Sequence, residues 1–295
     1  MKVFVTGAGG QLGNDVLNEL AKRGHEAVGT DRHTLDITHS EDVSRCLREI
    51  SPDAVIHCAA WTAVDAAEEA ENHDNVYLAN AEGTKNIAEV CRDLDIKMMY
   101  ISTDYVFDGQ GTEPWHPDCR DYKPLNVYGQ SKLAGELAVS GLLEKYFIVR
   151  IAWAFGTHGN NFVKTMLKLG KKYDTIRVVS DQIGTPTYTF DLARLLVDMI
   201  ETEKYGYYHA TNEGGYISWY DFTKGIFKTA AEMGHSEYSE EKLNVIPVTT
   251  EEYGVSKAAR PFNSRLDRNK LAENGFTPLP TWQDALKRYL EEIDF

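Results

Sequence analysis

A glycine-rich turn directly after the first predicted strand constrains the fold more than any other feature of this sequence. The apolar run Lys2–Thr6 leads into Gly-Ala-Gly-Gly-Gln-Leu-Gly, which extends from Gly7 to Gly13 and opens a helical pattern. In this context Gly7 permits a tight turn, Gly10 lets the backbone approach a pyrophosphate, and Gly13 lets the helix pack closely on the strand. Free amides at the helix N-terminus can then bind phosphate. The turn therefore predicts a dinucleotide-binding βα unit.

Short apolar runs rich in β-branched residues alternate with amphipathic helical stretches through the first half of the chain. This alternation is typical of βα units wound around a parallel sheet that is buried on both faces. We predict strands at residues 2–6, 26–30, 54–58, 97–102 and 147–150. We predict helices at residues 11–23, 40–50, 75–93 and 127–143.

The pattern of predicted elements changes after about residue 155, where longer helices, short strands and loops follow one another. We therefore predict an α/β fold, a Rossmann-type doubly wound parallel sheet with a smaller, interleaved C-terminal substrate lobe. Residues 1–155 would form the NAD(P)-binding domain with the catalytic residues. Residues 156–295 would form mainly the substrate-binding lobe, with some segments returning to the first domain.

Charge and composition exclude several classes of function. The formal net charge is -14 and the pI is near 5.1, so most of the surface would repel nucleic acid or an anionic membrane. The four cysteines are scattered, which favours reduced thiols over a disulfide framework or a zinc site. No apolar run approaches the roughly 20 residues of a membrane helix or forms a signal peptide. We expect a soluble, cytoplasmic protein, either a monomer or a homodimer.

The residues after the second predicted strand bear on the choice of cofactor. Asp31 lies about where an acidic residue contacts the adenosine ribose, which favours NAD(H). The adjacent Arg32 can stack on adenine and pair with a 2′-phosphate, which favours NADP(H). The sequence thus favours NADPH slightly and leaves NADH open. The other residues expected to flank the cofactor are Asp36 and Ile37 at the adenine end, and Ala59, Ala60, Trp61 and Thr62 at the nicotinamide end.

One of several Tyr-x-x-x-Lys matches lies in a suitable place for catalysis. The pattern begins at Tyr128, Tyr220, Tyr238 and Tyr253. Only Tyr128 and Lys132 lie in the βα region that carries the glycine turn, after a strand that ends in the hydroxyl residue Thr103. At positions i and i+4 of a helix, both side chains project from one face.

The three residues predict a proton-transfer site. A nearby ammonium favours the phenolate, so we expect Lys132 to lower the pKa of Tyr128 from its usual value of about 10. Tyr128 would protonate the alkoxide that forms when hydride reaches a ketone, and Thr103 would hydrogen-bond the carbonyl oxygen.

These motifs together closely resemble the dTDP-4-dehydrorhamnose reductase family over essentially the whole length. The stretches that carry the resemblance are the glycine turn, residues 102–109, 124–129 with Lys132, Asn80-Ala81, 150–153, 159–162, 181–187, and Arg260-Pro261 with 263–266. The resemblance implies reduction of the 4-keto group of dTDP-4-dehydro-L-rhamnose to dTDP-L-rhamnose by NADPH or NADH, a step of cell-wall polysaccharide synthesis.

The resemblance also implies roles for particular residues. It makes Tyr128 the proton donor and Lys132 its partner, and it assigns cofactor contacts to Gln11 and Leu12 besides those given above. The implied substrate contacts are Thr103, Asp104 and Trp153, with Arg260 and Arg265 as cations that can offset diphosphate charge.

The sequence also bears on metal use and on two alternative functions. Some relatives hold a divalent ion at a subunit interface, but Phe190 stands where an acid besides Asp15 is expected, so no metal is predicted. Nucleotide-sugar epimerases and dehydratases share the fold and the Tyr/Lys pair. The non-catalytic, NADP-binding β subunit of methionine adenosyltransferase is also similar to this family. The complete set of Thr103, Tyr128 and Lys132 favours an enzyme over the binding subunit. Asp104 is followed by Tyr105 and not by a second acid, which favours a reductase over an epimerase or dehydratase.

Overall fold

The computed structural model describes residues 1–295, and a six-stranded parallel sheet forms its centre. The twelve strands are β1 (Lys2–Thr6), β2 (Glu26–Thr30), β3 (Ala54–His57), β4 (Lys97–Thr103), β5 (Tyr146–Ile151), β6 (Ala154–Phe155), β7 (Thr175–Val179), β8 (Ile183–Gly184), β9 (Thr187–Tyr188), β10 (Gly206–His209), β11 (Ile217–Ser218) and β12 (Asn244–Val248). The central sheet has the order β10-β5-β4-β3-β1-β2. Because β2 and β3 lie on opposite sides of β1, the sheet has a topological switch point beside β1, where ligands of such folds bind.

Helices cover both faces of this sheet and build the rest of the molecule. They are α1 (Gln11–Lys22), α2 (Ser40–Ile50), α3 (Val64–Ala67), α4 (His73–Tyr77), α5 (Gly83–Asp93), α6 (Val127–Leu142), α7 (Phe162–Lys172), α8 (Thr189–Ile200), α9 (Trp219–Glu232), α10 (Thr250–Tyr253), α11 (Asn269–Glu273) and α12 (Trp282–Glu292). Short 3-10 turns occur at Ala70–Asn72, Asp104–Val106 and Ser236–Tyr238, and a π-helical turn occupies Leu78–Glu82. No helix is both long enough and apolar enough to span a membrane.

The alternation of side chains along β1 shows why the sheet is covered on both sides. Val3 and Val5 are buried in one core with α1 and α8, whereas Phe4 is buried in another with α2, α5 and α6. Successive residues of a strand point to opposite faces, so an uninterrupted apolar strand requires two layers of helices. The predicted α/β, doubly wound parallel fold is confirmed.

A third core, the aromatic core, lies outside the sheet. It joins α7, α9 and α12 around Phe155, Tyr188, Phe222 and Tyr289. The parallel pair β7 and β12 flanks this core. The chain also returns to the first core after residue 155, because β10 forms an edge of the central sheet and α8 packs with α1.

The predicted elements agree closely with the observed ones, with one clear difference. The pattern at residues 75–93 predicts one uninterrupted helix, but the structure has α4, the π-helical turn and α5 in succession. Within the π-helical turn, buried Asn80 bonds the backbone of Trp61 and the side chain of Ser131. These contacts come from distant parts of the chain, so the local pattern does not reveal them.

Candidate active site

A cleft of about 800 Å³ opens at the carboxyl ends of the central strands, between the sheet and the aromatic core. The glycine turn, the ends of β4 and β5, and the start of α6 line one side of this cleft. Gly159, Asn160, Phe162 and Trp219 line it from beyond residue 155. The cleft is therefore shared between the sheet and the C-terminal half of the chain.

The backbone of the glycine turn can approach a pyrophosphate closely. Gly7 has φ +69, and a Cβ there would lie 2.7 Å from the Ala59 nitrogen. A Cβ on Gly13 would lie 2.1 Å from the Gly7 carbonyl oxygen, so neither position accepts a larger residue without movement. Gly10 is the N-cap of α1 and supplies no side-chain cap, so the first amides of the helix remain available to an anion. These features fit the diphosphate of a dinucleotide.

A smaller cavity of about 200 Å³ adjoins the cleft next to β2. The Asp31 carboxylate there accepts hydrogen bonds from the amides of His33 at 2.9 Å and Thr34 at 3.0 Å. Hydrogen bonds from Thr34 chiefly hold the pKa of Asp31 below its usual value. Arg32 is exposed and borders both cavities. The predicted residues that line this smaller cavity are Gly7, Asp31, Arg32, Asp36, Ile37, Ala59, Ala60 and Trp61.

The start of α6 is fixed by several contacts, and this part of the helix carries Tyr128 and Lys132. The Asn126 side chain caps the helix by accepting from the Gly129 amide at 2.8 Å, and Glu68 accepts from the Val127 amide at 2.8 Å. A Cβ on Gly129 would lie 2.4 Å from the Tyr105 carbonyl oxygen. The helix therefore packs directly on the 3-10 turn that follows Thr103.

Thr103 and Asp104 form a buried polar pair in the wall of the cleft. The Thr103 hydroxyl accepts from the Tyr105 amide at 3.2 Å and donates to Asp104 Oδ1 at 3.0 Å. Asp104 is 2% exposed, and its Oδ2 has no hydrogen-bond partner. Burial raises the pKa of the Asp104 carboxyl to about 6. The pair can thus present either a carboxylate or a carboxylic acid to a ligand near neutral pH.

Tyr128 and Lys132 both line the cleft, but their electrostatics differ from the expectation. The ammonium of Lys132 donates to the Ile101 carbonyl oxygen at 2.7 Å and lies 4.0 Å from the centre of the Tyr100 ring. Burial lowers the pKa of Lys132 to about 7. Burial also raises the pKa of Tyr128, so the expected lowering by Lys132 is not found in this structure. The phenol is therefore protonated at neutral pH, as a proton donor must be.

The far end of the cleft is aromatic and cationic. The rings of Trp153 and Trp219 stack with centroids 3.7 Å apart, and Trp153 has the left-handed φ of 51 that non-glycine residues rarely adopt. Arg260 lines the cleft and donates to Asp65 at 2.8 Å and to the Tyr105 hydroxyl at 3.2 Å. These groups can bind a flat ring and an anion.

The structure brings together every predicted site residue except one. Arg265 does not line either cavity, because its guanidinium donates to Asn263 Oδ1 at 3.0 Å. Four further residues that line the cleft have no role predicted from the sequence: Ser102, Asn160, Phe162 and Trp219. Trp219 begins a helix far along the chain from Trp153, and no local pattern connects the two. No group of three or more His, Cys, Asp or Glu side chains is arranged to hold a metal ion.

Comparisons with known proteins agree with this geometry. The model of a family described as RmlD substrate binding domain matches residues 1–295. A dTDP-4-dehydrorhamnose reductase of Aggregatibacter actinomycetemcomitans is 38% identical, with 97% of each chain covered. The spore coat polysaccharide biosynthesis protein SpsK of Bacillus subtilis is also 38% identical, over 99% of this chain and 97% of that protein. The crystal structure of a dTDP-4-dehydrorhamnose reductase from Bacillus anthracis in complex with NADP is 44% identical, with a TM-score of 0.91 and 99% of each chain covered.

Proposed function

Because this chain belongs to the dTDP-4-dehydrorhamnose reductase family over its whole length, we propose that it reduces the 4-keto group of dTDP-4-dehydro-L-rhamnose with NADPH. The product would be dTDP-L-rhamnose. NADH is a possible second cofactor, since Asp31 and Arg32 both border the adenosine end of the cleft.

One observation carries the proposal. Thr103, Tyr128 and Lys132 line the same cleft as the glycine turn, although β4 and α6 bring them from separate parts of the chain. A binding protein needs the turn to hold a dinucleotide, but it does not need a hydroxyl, a phenol and an ammonium beside it. A reductase needs all of them.

In the proposed reaction the residues divide the work between binding and proton transfer. When bound, NADPH supplies the hydride that reduces the keto carbon. Thr103 turns its hydroxyl proton, which it donates to Asp104 in this structure, to the keto oxygen and so polarises the carbonyl group. Tyr128 gives its phenolic proton to that oxygen as the alkoxide develops. Lys132 stabilises the phenolate that remains, because a nearby positive charge favours the ionised form.

The substrate residues are proposed from their chemistry. The Trp153 and Trp219 rings offer an apolar surface for the sugar or the base, and Asp104 offers hydrogen bonds to sugar hydroxyls. Arg260 can offset the charge of the diphosphate, and a phosphate oxygen there would compete with Asp65. Arg265 would act only if it left Asn263.

The cofactor contacts and the division between the two parts of the chain complete the proposal. Residues 1–155 would bind NADPH, and residues 156–295 would mainly bind the nucleotide sugar. The remaining cofactor contacts are Gly10, Gln11, Leu12, Gly13, Ala59, Ala60 and Thr62. The prediction of a cytoplasmic enzyme, either monomeric or homodimeric, rests on the sequence.

NADPH oxidation tests the proposal directly. We expect the absorbance of NADPH to fall when dTDP-4-dehydro-L-rhamnose is generated in situ by upstream enzymes, with dTDP-L-rhamnose as the product. Tyr128→Phe should nearly abolish turnover and leave NADPH binding intact, because it removes only the transferable proton. Wild-type turnover in that variant would contradict the assignment. Cofactor binding by the wild-type protein without oxidation would instead indicate a binding subunit or another keto-sugar.

A further inference from the structure

A closed ring of buried hydrogen bonds lies below the cleft and joins three parts of the fold. Its side chains are Thr6 at the end of β1, His57 at the end of β3, Asn80 in the π-helical turn and Thr84 in α5. Each is no more than 1% exposed. None of them belongs to the proposed catalytic set, so the ring needs another explanation.

The first half of the ring runs from the wall of the cleft through the imidazole. The Ala59 amide donates to Thr6 Oγ1 at 3.2 Å, and that hydroxyl lies 2.6 Å from His57 Nδ1. On the other side of the imidazole, Nε2 lies 3.0 Å from Thr84 Oγ1. The Thr84 hydroxyl donates to the Asn80 carbonyl oxygen at 2.8 Å.

The second half of the ring returns from Asn80 to the wall of the cleft. Asn80 Oδ1 accepts from the Trp61 amide at 2.7 Å, and its Nδ2 donates to the Trp61 carbonyl oxygen at 3.1 Å. The same Nδ2 lies 2.9 Å from Ser131 Oγ, next to Lys132 in α6. Both ends of the segment 59–61 are thus tied to one network that also contacts the catalytic helix.

The directions of these bonds define the state of the imidazole. The Thr84 proton is used on the Asn80 carbonyl oxygen, so Thr84 must accept from His57 Nε2–H. Nδ1 then has to accept from Thr6, whose oxygen in turn accepts from the Ala59 amide. Only the neutral Nε2–H tautomer satisfies every member. Burial, assisted by the charge of Lys132, lowers the pKa of His57 to about 3.

The π-helical turn explains how Asn80 serves both sides of the ring. In this turn the Gly83 amide donates to the Leu78 carbonyl oxygen, five residues back. Single π-helical turns often occur at functional sites. Here the Asn80 carbonyl oxygen accepts from Thr84 and from the Tyr100 hydroxyl, while its side chain holds Trp61.

We propose that His57 is a positioning residue, which through this ring holds the cofactor wall at residues 59–61 at a fixed distance from α6. The inference rests on the proposed function, in which that wall contacts NADPH: Ala59 and Ala60 border both cavities, and Trp61 borders the smaller one. A wall that moves would change the distance between the reacting carbon and Tyr128, and small misplacements are costly in rate. Because the same wall borders the smaller cavity next to β2, its movement would also weaken the binding of NADPH.

Thr84 is the best position for a test because it lines neither cavity. Thr84→Val has a similar shape but can neither accept from His57 nor donate to Asn80, whereas Thr84→Ser keeps the hydroxyl. We expect kcat to fall about tenfold and the NADPH Kd to rise in Thr84→Val, and both to stay within about twofold of the wild-type values in Thr84→Ser. The nicotinamide fluorescence of bound NADPH should change only in Thr84→Val.

The possible results separate this inference from the proposed function. Equal kcat and equal nicotinamide fluorescence in the two variants, with only the Tm differing, would show that the ring is merely structural and would overturn the inference. If the wild-type protein turns over no keto-sugar, the proposed function fails, but the fluorescence still reports on the ring.

A measurement on the wild-type protein covers the case in which Thr84→Val does not fold. In ¹⁵N-histidine NMR spectra of the whole chain, His57 should appear as the Nε2–H tautomer. It should also fail to titrate between about pH 5 and pH 8, where an ordinary histidine does. If the His57 imidazole titrates in this range, or is the Nδ1–H tautomer, the inference is overturned.

Discussion

Burial determines the chemistry of Asp104 more than its neighbours do. One carboxyl oxygen accepts from Thr103, and the other has no partner, so the ionised form is poorly solvated. The pKa of about 6 means that the folded protein keeps a proton that the unfolded chain, with a pKa of about 3.9, has already lost. The stability that this proton provides is complete below about pH 4 and is lost as the pH rises through 6.

Asp104→Asn tests this pH dependence. The asparagine amide keeps the shape of the side chain and the acceptor for Thr103 but does not ionise. Without ligands, the wild-type protein should lose about 1 kcal/mol of unfolding free energy relative to the variant between pH 5 and pH 7.5. Urea unfolding at the two pH values measures the difference. A parallel pH dependence of both proteins would show that the Asp104 carboxyl has an ordinary pKa.

A second prediction at the residue scale concerns cofactor preference. Asp31 is already used by the turn that follows β2, whereas the Arg32 guanidinium is exposed beside both cavities. Arg32→Ala should raise the KM for NADPH about tenfold, because a charge-assisted contact to the 2′-phosphate is lost, and should leave the KM for NADH nearly unchanged. Arg32→Lys keeps the charge, so its KM for NADPH should lie between those of the wild-type protein and Arg32→Ala. Equal losses for both cofactors would exclude this role for Arg32.

At the scale of elements, the start of α6 links stability to catalysis. Asn126 is 2% exposed; its side chain caps the helix at the Gly129 amide and donates to the Ala259 carbonyl oxygen at 2.8 Å. Asn126→Ala should lower the unfolding free energy by about 1 to 2 kcal/mol and reduce kcat, because the turn with Tyr128 loosens. Asn126→Ser restores a cap but not the bond to Ala259. A serine variant as unstable as the alanine one would assign the effect to Ala259 and not to the cap.

The elements also show what the sequence reveals and what it does not. Five of the six strands of the central sheet are predicted within a residue or two, because a short, uninterrupted apolar run is typical of a buried strand. The sixth, β10, is not predicted. The glycine turn and the helix with Tyr128 and Lys132 are also predicted, because each motif is recognised from residues that lie close together in the sequence. The fold and the family therefore follow from local patterns.

Other features depend on contacts between distant residues, and sequence patterns do not contain them. The π-helical turn reads as ordinary helix, yet Asn80 within it bonds Trp61 and Ser131. The stack of Trp219 on Trp153 and the engagement of Arg265 by Asn263 are likewise tertiary. The raised pKa of Tyr128 follows from burial, which a motif does not report.

At the largest scale, the cleft lies between the sheet and the aromatic core, and polar contacts join its two sides. Gln11 of the glycine turn accepts from Asn161 at 3.1 Å, and Arg260 pairs with Asp65 at 2.8 Å. A ligand that fills the cleft therefore touches residues from both parts of the chain. This arrangement makes the proposed division of binding between the two parts of the chain testable.

Hydrogen exchange with each ligand alone tests this division. NADPH at about 100 times its Kd should stabilise the fold by about 2.7 kcal/mol, and it should slow exchange chiefly in the glycine turn and at residues 59–62. The nucleotide dTDP should instead slow exchange at residues 153–162 and at the start of α9, because these segments form the aromatic end of the cleft. Protection of residues 7–13 by dTDP, or of α9 by NADPH alone, would contradict the division.

Since Arg260 must leave Asp65 to meet a phosphate, protection at residues 256–260 by dTDP would further support its contact with the diphosphate.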